Sequence, residues 1–165
     1  MLDLLYQQTF AAISAVRSTY TRELHNQIDW NNRLIGIRGP RGVGKTTLLL
    51  QHLKNNHGRS REALYATLDD FFFTETRVID LAREFHAKGG KVLYLDEVHK
   101  YPHSSWAQEI KNIYDLIPSL KVVFTGSSVL KTRESATCKN RKNLFGEHKP
   151  HLCSSSYQGK QGQSP

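Results

Sequence analysis

Residues 34–50 read LIGIRGPRGVGKTTLLL. Leu34, Ile35 and Ile37 make a short apolar strand, a glycine-rich turn interrupts it, and a leucine-rich helix follows. Inside the run, Gly39, Gly44, Lys45 and Thr46 satisfy G-x-x-x-x-G-K-[ST], the Walker A pattern. Glycines let the backbone curl so that successive N–H groups point inward at phosphate oxygens. The helix that begins near Lys45 adds its unpaired N–H groups and positive dipole end at the same place. Lys45 is then expected to reach the β- and γ-phosphates, and the Thr46 hydroxyl to bind Mg²⁺. A glycine turn without a ligand is the competing reading. The strand before it and the helix after it favour a nucleotide-phosphate site.

At 165 residues the chain is long enough for one domain with a core, not for two large ones. No apolar run reaches 18 residues, so no transmembrane helix is expected. The first residues, MLDLLYQQTFAAISAVRSTY, lack a basic start and a cleavage site, which excludes a signal peptide and suggests the cytoplasm. They read as an amphipathic helix running to about Leu24, with Leu2, Leu5, Phe10, Ile13 and Val16 as buried positions. Such a helix either packs beside a nucleotide base or covers a sheet edge. The formal charge of +8 is unevenly spread: residues 1–130 hold 16 Lys+Arg against 13 Asp+Glu, and residues 131–165 hold 7 against 2. Most of the excess is in the last fifth of the chain, so nothing in the folded part indicates nucleic acid.

Further along, Asn55-Asn56-His57-Gly58 stops the leucine-rich helix, and Glu62–Leu68 is a second strand ending in Asp69-Asp70. Those carboxylates either assist Mg²⁺ or water, or act as caps in a turn. Phe71-Phe72-Phe73 reads as core or interface, because no basic residues interleave with it as in a stacking platform. Thr74–Lys88 reads as a helix with Val78, Leu81, Ala82 and Phe85 on one face, stopped by Gly89-Gly90. Val92–Leu95 is a continuous apolar run, as expected of a strand buried on both faces, and it ends in Asp96-Glu97. This is the Walker B pattern with its acidic pair: Asp96 to hold Mg²⁺, Glu97 to orient or deprotonate the attacking water. His99 and Lys100 either sense the γ-phosphate or lie in a solvated loop. Ser104 or Ser105 caps a helix carrying Trp106, Ile110, Ile113 and Ile117, which Pro118 ends. Lys121–Phe124 is a further buried strand. Its polar tip, Thr125-Gly126-Ser127-Ser128, is either a γ-phosphate sensor or plain turn chemistry.

In this order, RLIGIRGPRGVGKTTLLL, ALYATLDD, GGKVLYLDEVHKYP, WAQEIKNIYD and LKVVFTGSS resemble AAA-type P-loop ATPases of bacteria and archaea. The nearest resemblance is to a group whose N-terminal ATPase domain precedes a C-terminal domain of unknown function. It covers roughly residues 1–130. It implies an α/β P-loop NTPase three-layer sandwich with a mainly parallel sheet. The P-loop strand would lie beside the sensor strand, with the Walker B strand beyond. It assigns Gly39, Pro40, Arg41, Gly42, Val43, Gly44, Lys45, Thr46 and Thr47 to the phosphates of ATP, Asp96 with Thr46 to Mg²⁺, Glu97 to water activation and Ser127 to the sensor. A protein partner or self-association would complete the site.

After Leu130 the resemblance gives out, where a fifth strand and helical lid are expected. Residues 131–165 contain no Val or Ile and no helical period, and read as disordered and not native to the fold, as after a frameshift or premature stop. Cys138, His148, His151 and Cys153 lie there at a spacing that fits no common zinc pattern. Without its last strand the sheet would leave the P-loop strand at an edge, which predicts weak stability in isolation. Three functions fit: an ATP-hydrolysing AAA-type domain, a nucleotide-binding switch without turnover, or a small-molecule kinase, which the Asp96-Glu97 pair disfavours.

Overall fold

A computed structural model describes residues 2–16, 23–103 and 105–127. In chain order the elements are α1 (Leu2–Ala15), α2 (Glu23–Gln27), β1 (Leu34–Gly39), α3 (Lys45–Asn56) and β2 (Ala63–Thr67). There follow α4 (Val78–Ala87), β3 (Val92–Asp96), α5 (Trp106–Leu116) and β4 (Lys121–Ser127), with 3-10 turns at Phe71–Thr74 and Val98–Lys100. The strands form one sheet in the order β1-β4-β3-β2, and every pairing is parallel. The expected neighbours are met: β1 lies beside β4, and β3 beyond it. Among the described residues the outer edge of β1 meets no strand. Parallel strands end together, so the polar tips of β1, β3 and β4 gather along one rim of the sheet.

Side chains alternate across a strand, and this alternation builds the layers. Along β3, Leu93 and Leu95 join Leu81 and Phe85 of α4 and Ile110 and Ile113 of α5 in one cluster. Val92 and Tyr94 join Leu48, Leu49 and Leu53 of α3 in the other. Both faces are therefore covered, which is why Val92–Leu95 reads as an unbroken apolar run. The same alternation turns Asp96 toward the face that α3 covers. A three-layer α/β sandwich results.

The first helix takes the edge-covering role. Thr9 is fully buried, and its hydroxyl donates to Leu5 O at 2.7 Å and accepts from Tyr65 N–H at 3.1 Å. The outward-facing amide of edge strand β2 is thereby paired, as a buried N–H must be. Leu2, Leu5 and Ile13 are buried as expected, joined by Tyr6, while Phe10 and Val16 are half-buried. The helix ends at Ala15 instead of continuing to about Leu24, and α2 starts at Glu23.

Two other expectations are corrected. The helix expected from Thr74 begins at Val78, because the chain first makes the 3-10 turn Phe71–Thr74, whose start Asp70 caps by accepting from Phe72 N–H at 2.9 Å. Asp70 thus takes the capping role that one of the two readings gave it, and Asp69 makes a 3.9 Å exposed ion pair with Lys100. The α4 N-terminus is held by a residue 30 positions away, buried Glu109, which accepts from Ile79 N–H at 3.0 Å and pairs with Arg77 at 2.7 Å. Strand β4 does not turn after Phe124: Thr125, Gly126 and Ser127 stay in register with Ile37, Arg38 and Gly39. Of the three phenylalanines, Phe73 is core and Phe71 is 81% exposed. Ser105 caps α5 by accepting from Gln108 N–H. Ser104, Ser128, the residues after them in the tail and the Cys/His set lie outside the described residues.

A buried aromatic stack underlies α3. His52 is 5% exposed, stacks on Trp30 with centroids 3.6 Å apart, and brings Nδ1 to 2.8 Å from the Tyr94 hydroxyl. Burial first, then the nearby His25, Lys121 and His57, lowers its pKa to about 3. An unfolded histidine takes its proton near 6.5, so as pH falls below that value the unfolded chain binds protons that folded His52 refuses. The stabilisation is complete above about pH 6.5 and drains away toward pH 3. At pH 5 the loss is about 2 kcal/mol. Thermal melts should fall by about 4–8 °C between pH 7 and pH 5 from this group. His52→Asn should flatten the fall; an unchanged pH dependence in that variant would contradict the assignment.

Candidate functional site

The turn between β1 and α3 is shaped by Gly42 and Gly44, whose φ values of 80° and 81° lie where other residues are strained. Gly44 caps α3 without a side-chain hydrogen bond. The first-turn N–H groups of Lys45, Thr46 and Thr47 have no acceptor within their own helix, so they suit an anion. Gly39 gives room as well: a Cβ there would stand 3.3 Å from Val43 Cγ2. Pro40, Arg41, Gly42 and Val43 are exposed at the rim, with Thr47 beside them.

Lys45 is 7% exposed and folds back over this loop. Its ammonium donates to Gly39 O at 3.0 Å and Pro40 O at 2.8 Å. An ammonium has three donors, so one remains for a further acceptor. Beside it the Thr46 hydroxyl donates to Asp96 Oδ2 at 2.6 Å, which joins the first turn of α3 to the tip of β3.

Asp96 is 2% exposed and donors surround its carboxylate. Oδ2 also accepts from the Tyr65 hydroxyl at 3.0 Å. Oδ1 accepts from the Thr125 hydroxyl and, at 3.1 Å, from Glu97 N–H. Burial above all, then the negative charge of Asp96, raises the Tyr65 phenol well above its ordinary value, so it stays a donor. Alternation puts Tyr65 and Thr125 on the face that Asp96 shares with α3. Sequence reasoning places no role on Tyr65, since a tyrosine inside an apolar strand reads as core, and it reads Thr125 as part of a sensor or turn, not as a partner of Asp96. The signal was their parity with Asp96 across neighbouring strands.

Glu97 has φ 54° and ψ 41°, the only left-handed conformation among the described residues that are not glycine. For an L-residue this costs about 1–2 kcal/mol, so something must hold it. Its N–H is shared between Asp96 Oδ1 and Thr125 Oγ1, both at 3.1 Å, and its carbonyl accepts from Lys100 N–H at 2.7 Å. Its carboxylate lies 3.2 Å from His99 Nε2. His99 is therefore no solvated loop residue: its side chain is 19% exposed, and Nδ1 accepts from Ser127 N–H at 3.3 Å. Ser127 itself stands opposite Gly39 in the β1–β4 register. Lys45, Thr46, Asp96 and Glu97 thus meet at one rim.

A family model described as an AAA domain matches residues 31–146. The chain belongs to the AAA domain family. The match runs past Leu130, where the sequence resemblance gives out. Membership makes this an AAA-type P-loop nucleotide-binding domain, of a family that generally uses ATP and Mg²⁺. No curated protein matches the chain. Among solved structures, C. elegans PCH-2 aligns with a TM-score of 0.37 at 16% identity, over 82% of this chain and 38% of that one. The chain therefore spans well under half the length of that protein.

No ring of metal ligands is needed for Mg²⁺, and among the described residues no group of three His, Cys, Asp or Glu could hold a metal. Mg²⁺ is commonly bound through one or two protein oxygens, with phosphates and water completing the shell. The Thr46 hydroxyl and the Asp96 carboxylate, 2.6 Å apart, offer that pair. No described helix is long and apolar enough to cross a membrane.

Proposed function

We propose that this domain binds Mg²⁺–ATP on residues 39–47 and hydrolyses its γ-phosphate, coupling nucleotide state to a protein partner or a second copy of the chain. The observation that carries the reading is the convergence of Thr46, Asp96, Thr125 and Glu97 beside the Lys45 loop. The loop amides and Lys45 bind and orient the phosphates. Thr46 and Asp96 would hold Mg²⁺, which when bound neutralises charge on the β- and γ-phosphate oxygens. Asp96 can do so because Tyr65 and Thr125 fix its carboxylate in place. Glu97 accepts a proton from the water that attacks the γ-phosphorus in line, while the bond from that phosphorus to the β–γ bridging oxygen breaks and ADP leaves. Ser127, at the end of β4, contacts the γ-phosphate or the water.

Phosphate release from ATP by the purified chain tests this. The expected result is turnover in Mg²⁺ that EDTA abolishes. ATP binding with no phosphate release would overturn hydrolysis and leave a nucleotide-binding switch.

A further inference from the structure

His99 joins two parts of the site that the proposed reaction needs to act together. The Glu97 side chain has three rotatable bonds and is 28% exposed, so an unrestrained carboxylate would spread over several rotamers. His99 Nε2 sits 3.2 Å from Glu97 Oε2. The imidazole is itself held. It belongs to the 3-10 turn Val98–Lys100, which fully buried Val98 pins to the core and the Lys100 N–H to Glu97 O bond closes. On its other side a backbone N–H, which can only donate, points from Ser127 at Nδ1. That bond places the lone pair on Nδ1 and the proton of the neutral ring on Nε2, facing Glu97. Register then sets Ser127 against Gly39, the first residue of the phosphate loop. An unbroken path runs from the loop through the end of β4 and one imidazole to the Glu97 carboxylate.

We propose that His99 is a positioning residue: it holds the Glu97 carboxylate and couples it to the end of β4, so that contact at Ser127 is transmitted to Glu97. This rests on the hydrolytic reading above. Sequence alone leaves the residue between a sensor and a solvated loop position. The two ring bonds make it neither, since His99 reaches Glu97 and the backbone of Ser127 and acts through them.

Two amide substitutions separate the two bonds. Gln places its amide nitrogen near the position of Nε2, so His99→Gln keeps the donor to Glu97. Asn reaches only the position of Nδ1, so His99→Asn keeps an acceptor for Ser127 N–H and loses Glu97. With the purified full chain, kcat for ATP should fall about tenfold in His99→Asn, because misplacing a reacting group by a fraction of an ångström to 1 Å costs up to about 10²-fold. ATP affinity and KM should stay within about twofold, and His99→Gln should retain most of kcat. An equal loss in both variants, a loss that follows ATP affinity, or a rise in kcat would overturn the proposal. A second readout does not depend on turnover: in ¹⁵N NMR the His99 ring should show protonated Nε2 and bare Nδ1, shifted by Glu97→Gln and by added ATP. If the wild-type chain binds ATP without turnover, the hydrolytic reading fails, and this signal alone decides whether the coupling exists. A His99 resonance indifferent to both changes would refute it.

Discussion

Lys45→Ala weakens ATP binding by about 10- to 150-fold, the range set by the roughly 1.5–3 kcal/mol that a charge-assisted hydrogen bond contributes net. The ammonium is buried within the phosphate loop and fixed by Gly39 O and Pro40 O. It is thus pre-positioned, and little side-chain entropy remains to be lost when phosphate arrives. Alanine removes the charge and also two bonds that brace the loop. A modest fall in melting temperature should accompany the loss of affinity. Titration of a fluorescent ATP analogue measures the first effect and a thermal melt separates it from unfolding. Unchanged affinity in a folded variant would remove the loop from the nucleotide site.

Glu97→Gln leaves ATP binding intact and lowers kcat by about 10²- to 10⁴-fold, the share general-base catalysis supplies. Glutamine keeps the size and the backbone N–H that Asp96 and Thr125 hold, so the left-handed conformation persists. What it cannot do is accept a proton from water. Phosphate release under saturating ATP, set beside equilibrium binding, reads the two effects apart. A variant that turned over at the wild-type rate would mean that another group takes the proton, and that the strain at Glu97 serves only the turn.

How far the sequence carried the fold follows from where its periodicities were unambiguous. The loop at Gly39–Thr47 carries a local glycine pattern and Val92–Asp96 an unbroken apolar run, and both elements lie where the sequence puts them. The parallel sheet and its strand order came from the family resemblance, since no local signal pairs β1 with β4. Element ends were harder. The start of α4 depends on Glu109, a carboxylate thirty residues downstream, and its sequence neighbours say nothing of it. Thr125-Gly126-Ser127 has the composition of a turn, yet pairing with β1 keeps it extended, a tertiary demand that overrides local preference. Nothing local ties Tyr65 or the Thr125 hydroxyl to Asp96, for a related reason. Their hydroxyls matter only because neighbouring strands bring them to Asp96, and register is invisible until pairing is known.

The central claim is that residues 39–47, with Thr46 and Asp96, make a working Mg²⁺–ATP site. Calorimetric titration of ATP with Mg²⁺ into the folded, full-length chain tests it most directly. One-to-one saturable binding, weakened when EDTA removes the metal, is the predicted result. A chain that melts cooperatively yet gives no binding heat with ATP at any attainable concentration would contradict it.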